Sequence, residues 1–431
     1  MKITVVAMGK IGLPLAVQFA KMGHEVIGTD VNSETVDAVN AGREPFPGEA
    51  HLDEYMKQVV AAGRLRATTD TTAAVAESEA VVVVVPLFVD ESGTPDFGWM
   101  DSATQDIARG LKPGTLVSYE TTLPVGTTRN RFAPMLEELS DLKAGKDFTL
   151  VFSPERVFTG RVFADLRKYP KLVGGINDAS TEAGVKFYEQ VLEFDNRDDL
   201  ARPNGVWNLG PSEASELAKL AETTYRDVNI GLANQFAQFA ASNGIDVYEV
   251  IEACNSQPYS HIHQPGIAVG GHCIPIYPRM YLWNDPEATV VRAAREANVG
   301  MPAYAVSLLA KELGGLAGKR VVVLGAAYRG GVKETAFSGV FRVVQELESA
   351  GALVSVQDPM YTDGELAKYG WVPYSFGQEV DAAIVQADHV EYSRLNDSHL
   401  PGIKVVINGR HSVDLSGVKN AKVVQLGKAQ L

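Results

Sequence analysis

Cysteine is nearly absent, with Cys254 and Cys273 the only two in 431 residues. A chain this long with so few thiols does not rest on a disulfide framework, and no zinc-ligand spacing is present, so no metal is expected. Long apolar runs are missing as well. The longest, AVVVVVPL at 80–87, is too short for a bilayer and reads as a buried parallel strand. The N-terminus, MKITVVAMG, passes directly into a strand without an apolar leader or small-residue cleavage site. A reduced cytoplasmic enzyme with no membrane partner is therefore expected. Basic residues are also in deficit: 39 Lys and Arg face 53 Asp and Glu, a net charge of −14. That balance argues against a nucleic-acid partner and leaves room for local basic patches that hold a phosphorylated small molecule.

What is present is the composition of a globular enzyme, 45% hydrophobic and 21% charged. Residues 2–30 read as strand, glycine turn, apolar helix (13–22) and second strand (24–29). Strand candidates follow at 80–85, 115–119, 148–152 and 171–174, with helical stretches between several of them. This alternation predicts a doubly wound parallel sheet. PNGVWNLGPSE (203–213) reads as a junction. A long helix is expected from 212 to about 243, because Leu217, Leu220, Ala221, Thr224, Val228 and Leu232 recur at helical spacing and Gly244 stops it. A helix over 246–254, a polar loop over 255–278 and a helix over 288–313 follow. At Lys319 the opening pattern returns as KRVVVLGAAYRGG, with a helix over 340–349 and strands at 353–357, 382–385 and 404–407. The expected architecture is α/β: two Rossmann-like doubly wound domains, 1–202 and 301–431, joined by a central helical domain, 203–300.

The first glycine turn reads Ala7-x-Gly9-x-x-Gly12, and Asp30 ends the next strand. Glycines let a backbone approach a pyrophosphate, a helix N-terminus favours its charge, and the carboxylate accepts hydrogen bonds from a ribose 2′-hydroxyl. An acid there repels a 2′-phosphate, so NAD is expected over NADP. Glycines that only permit tight packing are the competing explanation. The second turn, Gly325-Ala326-Ala327, lacks the later glycines and shows no comparable acid.

Cys273 follows two glycines in PGIAVGGHCIP (265–275). A thiolate adds to an aldehyde, the adduct can lose a hydride to give a thioester, and water then releases an acid. Neighbouring His272 is a candidate for lowering the thiol pKa. A buried structural thiol is the plainer alternative, and it is the expectation for Cys254. Lys219, Thr223 and Arg226 share a face of the long helix. Glu155 in SPER (153–156) and the hydroxyls of TTLPVGTT (121–128) each follow a strand.

Taken together, GKIGLPLA (9–16), TTLPVGTT, SPERVFTG (153–160), ELAKLAETTYRDVNIGLAN (216–234), AVGGHC (268–273) and LGAAYRGGVKE (324–334) resemble the UDP-glucose/GDP-mannose dehydrogenases over nearly the whole chain. The resemblance implies four-electron oxidation of C6 of a nucleotide-sugar with two NAD+, and a homodimer formed through the helical middle. It implies that Cys273 is the nucleophile, that Lys219 stabilises oxyanion charge, that Glu155 handles protons or water, and that Thr122 lies near the reacting carbon. It assigns Gly9, Lys10, Ile11, Gly12, Asp30, Pro86, Thr122 and Glu155 to the cofactor. Glu155, Arg156, Lys219, Thr223, His261, Gly270, Gly271, Arg329 and Arg410 fall to the UDP-sugar. SPERV and YRDVNIGLAN are most similar to the UDP-N-acetylhexosamine branch, with UDP-glucose the alternative substrate. Departures exist: Thr223 stands where the family has Asn, Tyr277 where it has Asp, and Ala336 where it has Arg, and the arginine expected near Tyr259 is missing. They keep two other readings open, a nucleotide-sugar-binding homologue with impaired catalysis and a two-electron alcohol dehydrogenase.

Overall fold

A computed structural model describes residues 1–90 and 93–428. The chain forms two compact units, Met1–Ala221 and Glu222–Leu431.

In the first unit the opening pattern folds as expected: β1 (Lys2–Val6), α1 (Gly12–Lys21) and β2 (Glu25–Thr29). β3 (Leu65–Thr68), β4 (Ala80–Val83), β5 (Leu116–Tyr119) and β6 (Thr149–Phe152) follow. β7 (Lys171–Gly175) and β8 (Val206–Pro211) complete an eight-stranded sheet of order β8-β7-β6-β5-β4-β1-β2-β3. Strands β1 to β6 run parallel in the doubly wound order 3-2-1-4-5-6, whose crevice opens at the carboxyl ends where the order reverses. The valine run is fully buried in β4, as a strand covered on both faces requires. β7 pairs antiparallel with β6, and β8 pairs parallel with β7. Residues 203–213, expected as a junction, therefore contain an edge strand. Its Gly and Pro are tolerated because β8 has a neighbour on one side only and its register shifts before Pro211. α2 (Asp178–Val191) packs its buried face on this end of the sheet.

α3 (Ser212–Ser242) is the long helix, and the boundary between the units falls within it. Gly244 stops it in a left-handed conformation, φ +77°. The second unit continues with α4 (Val247–Asn255), α5 (Tyr277–Asn284) and α6 (Thr289–Leu313). The α5 helix was not expected. It begins in the last residues of the predicted loop, with Pro278 in its first turn, where a missing N–H costs nothing.

β9 (Arg320–Leu324), α7 (Val340–Ser349), β10 (Leu353–Gln357), β11 (Ala382–Val385), β12 (Val405–Asn408) and β13 (Lys422–Gln425) form the second α/β domain. Its sheet is parallel throughout, in order β10-β9-β11-β12-β13. Among the described residues no helix is long and apolar enough to cross a membrane.

One expectation is overturned here. The second glycine turn does have an acid, Asp358, just beyond β10. Its Oδ2 accepts from the Ala326 and Ala327 N–H groups at 2.8 and 3.0 Å and lies 3.0 Å from His389 Nε2. Both side chains are buried. Burial works against the charge on Asp358, but His389 and the backbone donors outweigh it and hold the carboxyl below its ordinary range. An acid so enclosed braces the turn and has no face left for a ribose.

The glycines of the first turn differ in what they do. A Cβ on Gly12 would stand 1.9 Å from the Ala7 carbonyl oxygen and 2.7 Å from the Val84 side chain, whereas one on Gly9 meets nothing within 4 Å. Gly12→Ala is expected to lose about 1–3 kcal/mol of stability through overpacking, and Gly9→Ala to unfold at the wild-type temperature. Thermal unfolding followed by circular dichroism checks the contrast.

Candidate active site

The site residues expected in the first unit gather at the carboxyl ends of its parallel strands. Ala7 takes the left-handed conformation, φ +75°, that the first glycine of such a turn would supply, at a steric cost of about 1–2 kcal/mol. Asp30 braces the turn from the end of β2: its Oδ2 accepts from Met8 N–H at 2.8 Å and its Oδ1 from Asn32 N–H at 2.9 Å. Gly9 and Lys10 are exposed, and Gly9 faces open space. Ile11, at the N-cap of α1, supplies no side-chain cap, and the first turn has no acid. That helix end is therefore suited to an anion. These features fit a dinucleotide. Open backbone at Gly9 admits a pyrophosphate, and the Asp30 carboxylate keeps lone pairs for ribose hydroxyls. Pro86 follows β4 and is exposed, and Thr122 follows β5 and is buried.

Glu155 and Arg156 follow β6. The Arg156 guanidinium donates to the Pro170 carbonyl at 3.3 Å. Glu155 does not stand alone. Its Oε1 contacts the Lys171 ammonium, which also donates to Glu120 Oε2 at 2.7 Å. The Tyr188 hydroxyl donates to Glu120 Oε1 at 2.5 Å and lies 2.6 Å from Ser118 Oγ. Burial drives the Glu120 carboxyl well above the usual carboxylate range, with Lys171 opposing and Glu155 adding to the rise. Burial works to strip the proton from Lys171, but the two carboxylates prevail and raise its pKa. Sequence reasoning missed Glu120, Lys171 and Tyr188. The available signal was a charged residue at one end of a buried strand: Glu120 just after β5 and Lys171 opening β7.

Another missed residue, Glu216, sets the start of α3. Its Oε2 accepts from Gly126 N–H at 2.5 Å, and its Oε1 accepts from Thr128 N–H at 2.9 Å and the Thr128 hydroxyl at 2.7 Å. Burial pushes it up to about 7 against those donors. It ties the helix that carries Lys219 to the loop that carries Thr122. Lys219 and Thr223 are both buried.

In the second unit a cavity of 380 Å³ opens where the strand order of the second sheet reverses. Gly270, Arg329 and Arg410 line it together with Tyr328 and Asp388. Arg410 draws three loops together: its guanidinium donates to the carbonyls of Gln386 at 2.7 Å, Ala268 at 3.3 Å and Tyr328 at 3.4 Å. Burial lowers its pKa from the ordinary arginine value, with Asp388 opposing. Arg329 is exposed, and its Nε donates to the Tyr328 hydroxyl at 3.2 Å. The glycines before the cysteine serve contact with the chain's own residues. A Cβ on Gly270 would meet Tyr328 at 2.6 Å, and Gly271, at φ +88°, donates its N–H to the Ala336 carbonyl at 3.0 Å.

Cys273 is exposed, and its carbonyl accepts from the N–H groups of Ile276 and Tyr277 at the head of α5. His272, the candidate partner of the thiol, places its Nε2 3.4 Å from Glu334 Oε2. His261 is exposed, and its carbonyl accepts from Asn229 Nδ2 at 2.7 Å. His263 is held below its ordinary pKa by burial and by Arg226. A buried network missed from sequence fixes this loop to α3 and α6. Gly266 N–H donates to Asn234 at 2.9 Å, Asn234 to Asn298 at 2.8 Å and Asn298 to Asp227 at 2.8 Å, and Asp227 pairs with Arg295 at 2.6 Å.

The family models of known proteins divide the chain in three. "UDP-glucose/GDP-mannose dehydrogenase family, NAD binding domain" matches residues 1–192, the family's central domain matches 213–299, and its UDP binding domain matches 322–418. A UDP-N-acetyl-D-mannosamine dehydrogenase from Pyrococcus horikoshii is 34% identical over 423 residues, 96% of each chain. A solved structure of UDP-D-ManNAc dehydrogenase from the same organism superposes with a TM-score of 0.86 at 31% identity, covering 99% of both chains. The structure of an NDP-N-acetyl-D-galactosaminuronic acid dehydrogenase from Methanosarcina mazei gives 0.85 at 29% identity, covering 99% of this chain and 95% of that one. An acid-braced glycine turn in one unit and an arginine-lined cavity in the other are what an NAD-binding and a UDP-binding domain need, and the chain belongs to the UDP-glucose/GDP-mannose dehydrogenase family, NAD-dependent nucleotide-sugar oxidoreductases.

Proposed function

We propose that this protein oxidises C6 of a UDP-N-acetylhexosamine, UDP-N-acetyl-D-mannosamine foremost, to the uronate. The observation that carries the reading is the exposed Cys273 thiol, set in a loop whose preceding residues line the arginine-bearing cavity. The names of the relatives support the choice of sugar. Gly9, Lys10, Ile11, Gly12, Asp30 and Pro86 hold NAD+, with Thr122 and Glu155 beside it, and when bound it accepts the hydride in each of the two oxidations. Arg156, Thr223, His261, Gly270, Gly271, Arg329 and Arg410 bind the UDP-sugar.

In the first oxidation the C6 alcohol loses a hydride and a proton, and Glu155 takes up that proton. The Cys273 sulfur then adds to the aldehyde carbon, and the carbonyl oxygen becomes a hydroxyl. In the second oxidation this thiohemiacetal loses a hydride, its hydroxyl proton passes to Glu155, which has returned the first proton to water, and a thioester remains. Lys219 stabilises the negative charge that builds on the oxygen. Water adds to the thioester, the C–S bond breaks, and the carboxylate and the thiol are released. The Thr223 and Tyr277 hydroxyls orient that water less strongly than the family's Asn and Asp, since neither brings a carboxylate's charge.

The dimer is proposed on an apolar stripe of α3. Tyr225, Leu232, Phe236 and Phe239 recur along one face and are exposed. Such a face is suited to an identical face of a second copy.

Four outcomes are expected. Asp30 repels a 2′-phosphate, so kcat/KM for NAD+ should exceed that for NADP+ by roughly tenfold or more, the effect of about 1.4 kcal/mol; equal use of NADP+ contradicts the cofactor geometry. Across a panel of UDP-N-acetylhexosamines and UDP-glucose, NADH measured against product by mass should give two NADH per uronate. Cys273→Ala should form no acid, while Cys254→Ala remains active. A ratio of one with a trappable aldehyde would make the protein a two-electron alcohol dehydrogenase. Light scattering at micromolar concentration should report a dimer, and Phe236→Glu with Phe239→Glu a monomer.

A further inference from the structure

The first unit encloses a charged chain of which the chemistry above uses only the last member, Glu155. It runs from Tyr188 on α2 to Glu120 beyond β5, to Lys171 opening β7, and to Glu155 beyond β6. Tyr188, Glu120 and Lys171 are buried, and the Glu155 side chain is 10% exposed. Glu155 N–H also donates to the Glu120 carbonyl at 3.3 Å, so backbone and side chains couple the same two residues. The Lys171 ammonium lies 4.8 Å from the centre of the Tyr188 ring.

A buried lysine needs one carboxylate to remain charged. Here it has two, and the second brings a surplus negative charge into a site with little water. The surplus is relieved when the two carboxylates hold one proton between them. The groups facing Glu120 are Lys171 from β7, Glu155 from the loop after β6, and Tyr188 from α2 with Ser118 of β5 behind its hydroxyl. Lys171 is the cation among them.

We propose that Lys171 and Glu120 are positioning residues for Glu155: Lys171 fixes its carboxylate, and Glu120, tied to the same ammonium, helps decide when Glu155 carries a proton. The proposal rests on the reading of Glu155 as the group that handles protons. It gives the two partners opposite signs. Removing the ammonium makes Glu155 hold its proton more tightly. Removing Glu120 as the competing carboxylate leaves the ammonium to Glu155 alone and makes it release the shared proton more readily.

The test is the pH profile of kcat/KM, read as NADH formation with whichever UDP-N-acetylhexosamine or UDP-glucose the wild type oxidises fastest. Lys171→Met should move the acid limb up by about one pH unit, and Glu120→Gln should move it down by a similar amount. Lys171→Arg, which still reaches both carboxylates, should restore the wild-type limb. NAD+ affinity and unfolding temperature identify any variant that has lost its fold, and Glu120→Gln, close in shape to the original, decides the matter if Lys171→Met does not fold. An unmoved limb in Glu120→Gln, together with loss of the limb in Glu155→Gln, overturns this proposal alone. An unmoved limb in Glu155→Gln overturns the acid–base reading, and this proposal with it.

Discussion

A lysine ammonium with 5% of its side chain exposed cannot be left without a counter-charge in a protein interior. Lys171 meets that requirement with Glu120 and Glu155, and the pairing organises the carboxyl end of the first sheet. β5, β6 and β7 each contribute one member, directly or from the loop that follows. The three strands are thereby locked in register where the parallel part of the sheet gives way to its antiparallel edge. Glu216 repeats the device a few residues away. A buried carboxylate satisfied by backbone donors fixes the TTLPVGTT loop and the start of α3 together. Charges that would destabilise the core if unpaired are used to hold the loops after β5 and β6 in place.

The second unit relies on polar bonds of another kind. Arg410 gives its donors to three carbonyls from three loops, so its charge and its geometry serve the shape of the cavity as much as any ligand. Asp227, Arg295, Asn298 and Asn234 form a buried chain that ends on the backbone of Gly266. The cysteine loop is thus tied to helices at one point and to the sheet's loops at another. Gly270 and Gly271 allow that second contact, because any side chain there would strike Tyr328.

The two α/β domains share a turn and an acid yet differ in function. Asp30 and Asp358 both end a second strand and both accept from the backbone of the preceding glycine turn. Asp30 remains partly exposed. Asp358 is sealed under His389, so the same local motif leaves its acid open in one domain and encloses it in the other. Its longer spacing from Gly325 kept it out of a sequence search for the fingerprint.

Hydrophobic periodicity and glycine placement were enough to read the α/β–helical–α/β order, the long helix and its stop at Gly244, and the central strands of both sheets, but not the outer strands β3 and β13. These features are local, and each is written in neighbouring residues. Cys273, Lys219, Glu155 and Asp30 stand out in the sequence for a similar reason, as each sits in a short motif of defined spacing, and their roles are those proposed above. The edge strand at 206–211 was not legible, because its Pro and Gly are acceptable only where no further strand pairs beyond it. Glu120, Lys171, Tyr188 and Glu216 were silent too. A charge beside an apolar strand is ordinary at a surface, and only the packing of β5, β6, β7 and α2 removes these groups from water and turns them into one coupled set. Sequence determined which short motifs stand out and the family they resemble; burial, which depends on contacts distant along the chain, decided which charges face one another and which glycines a side chain would disturb.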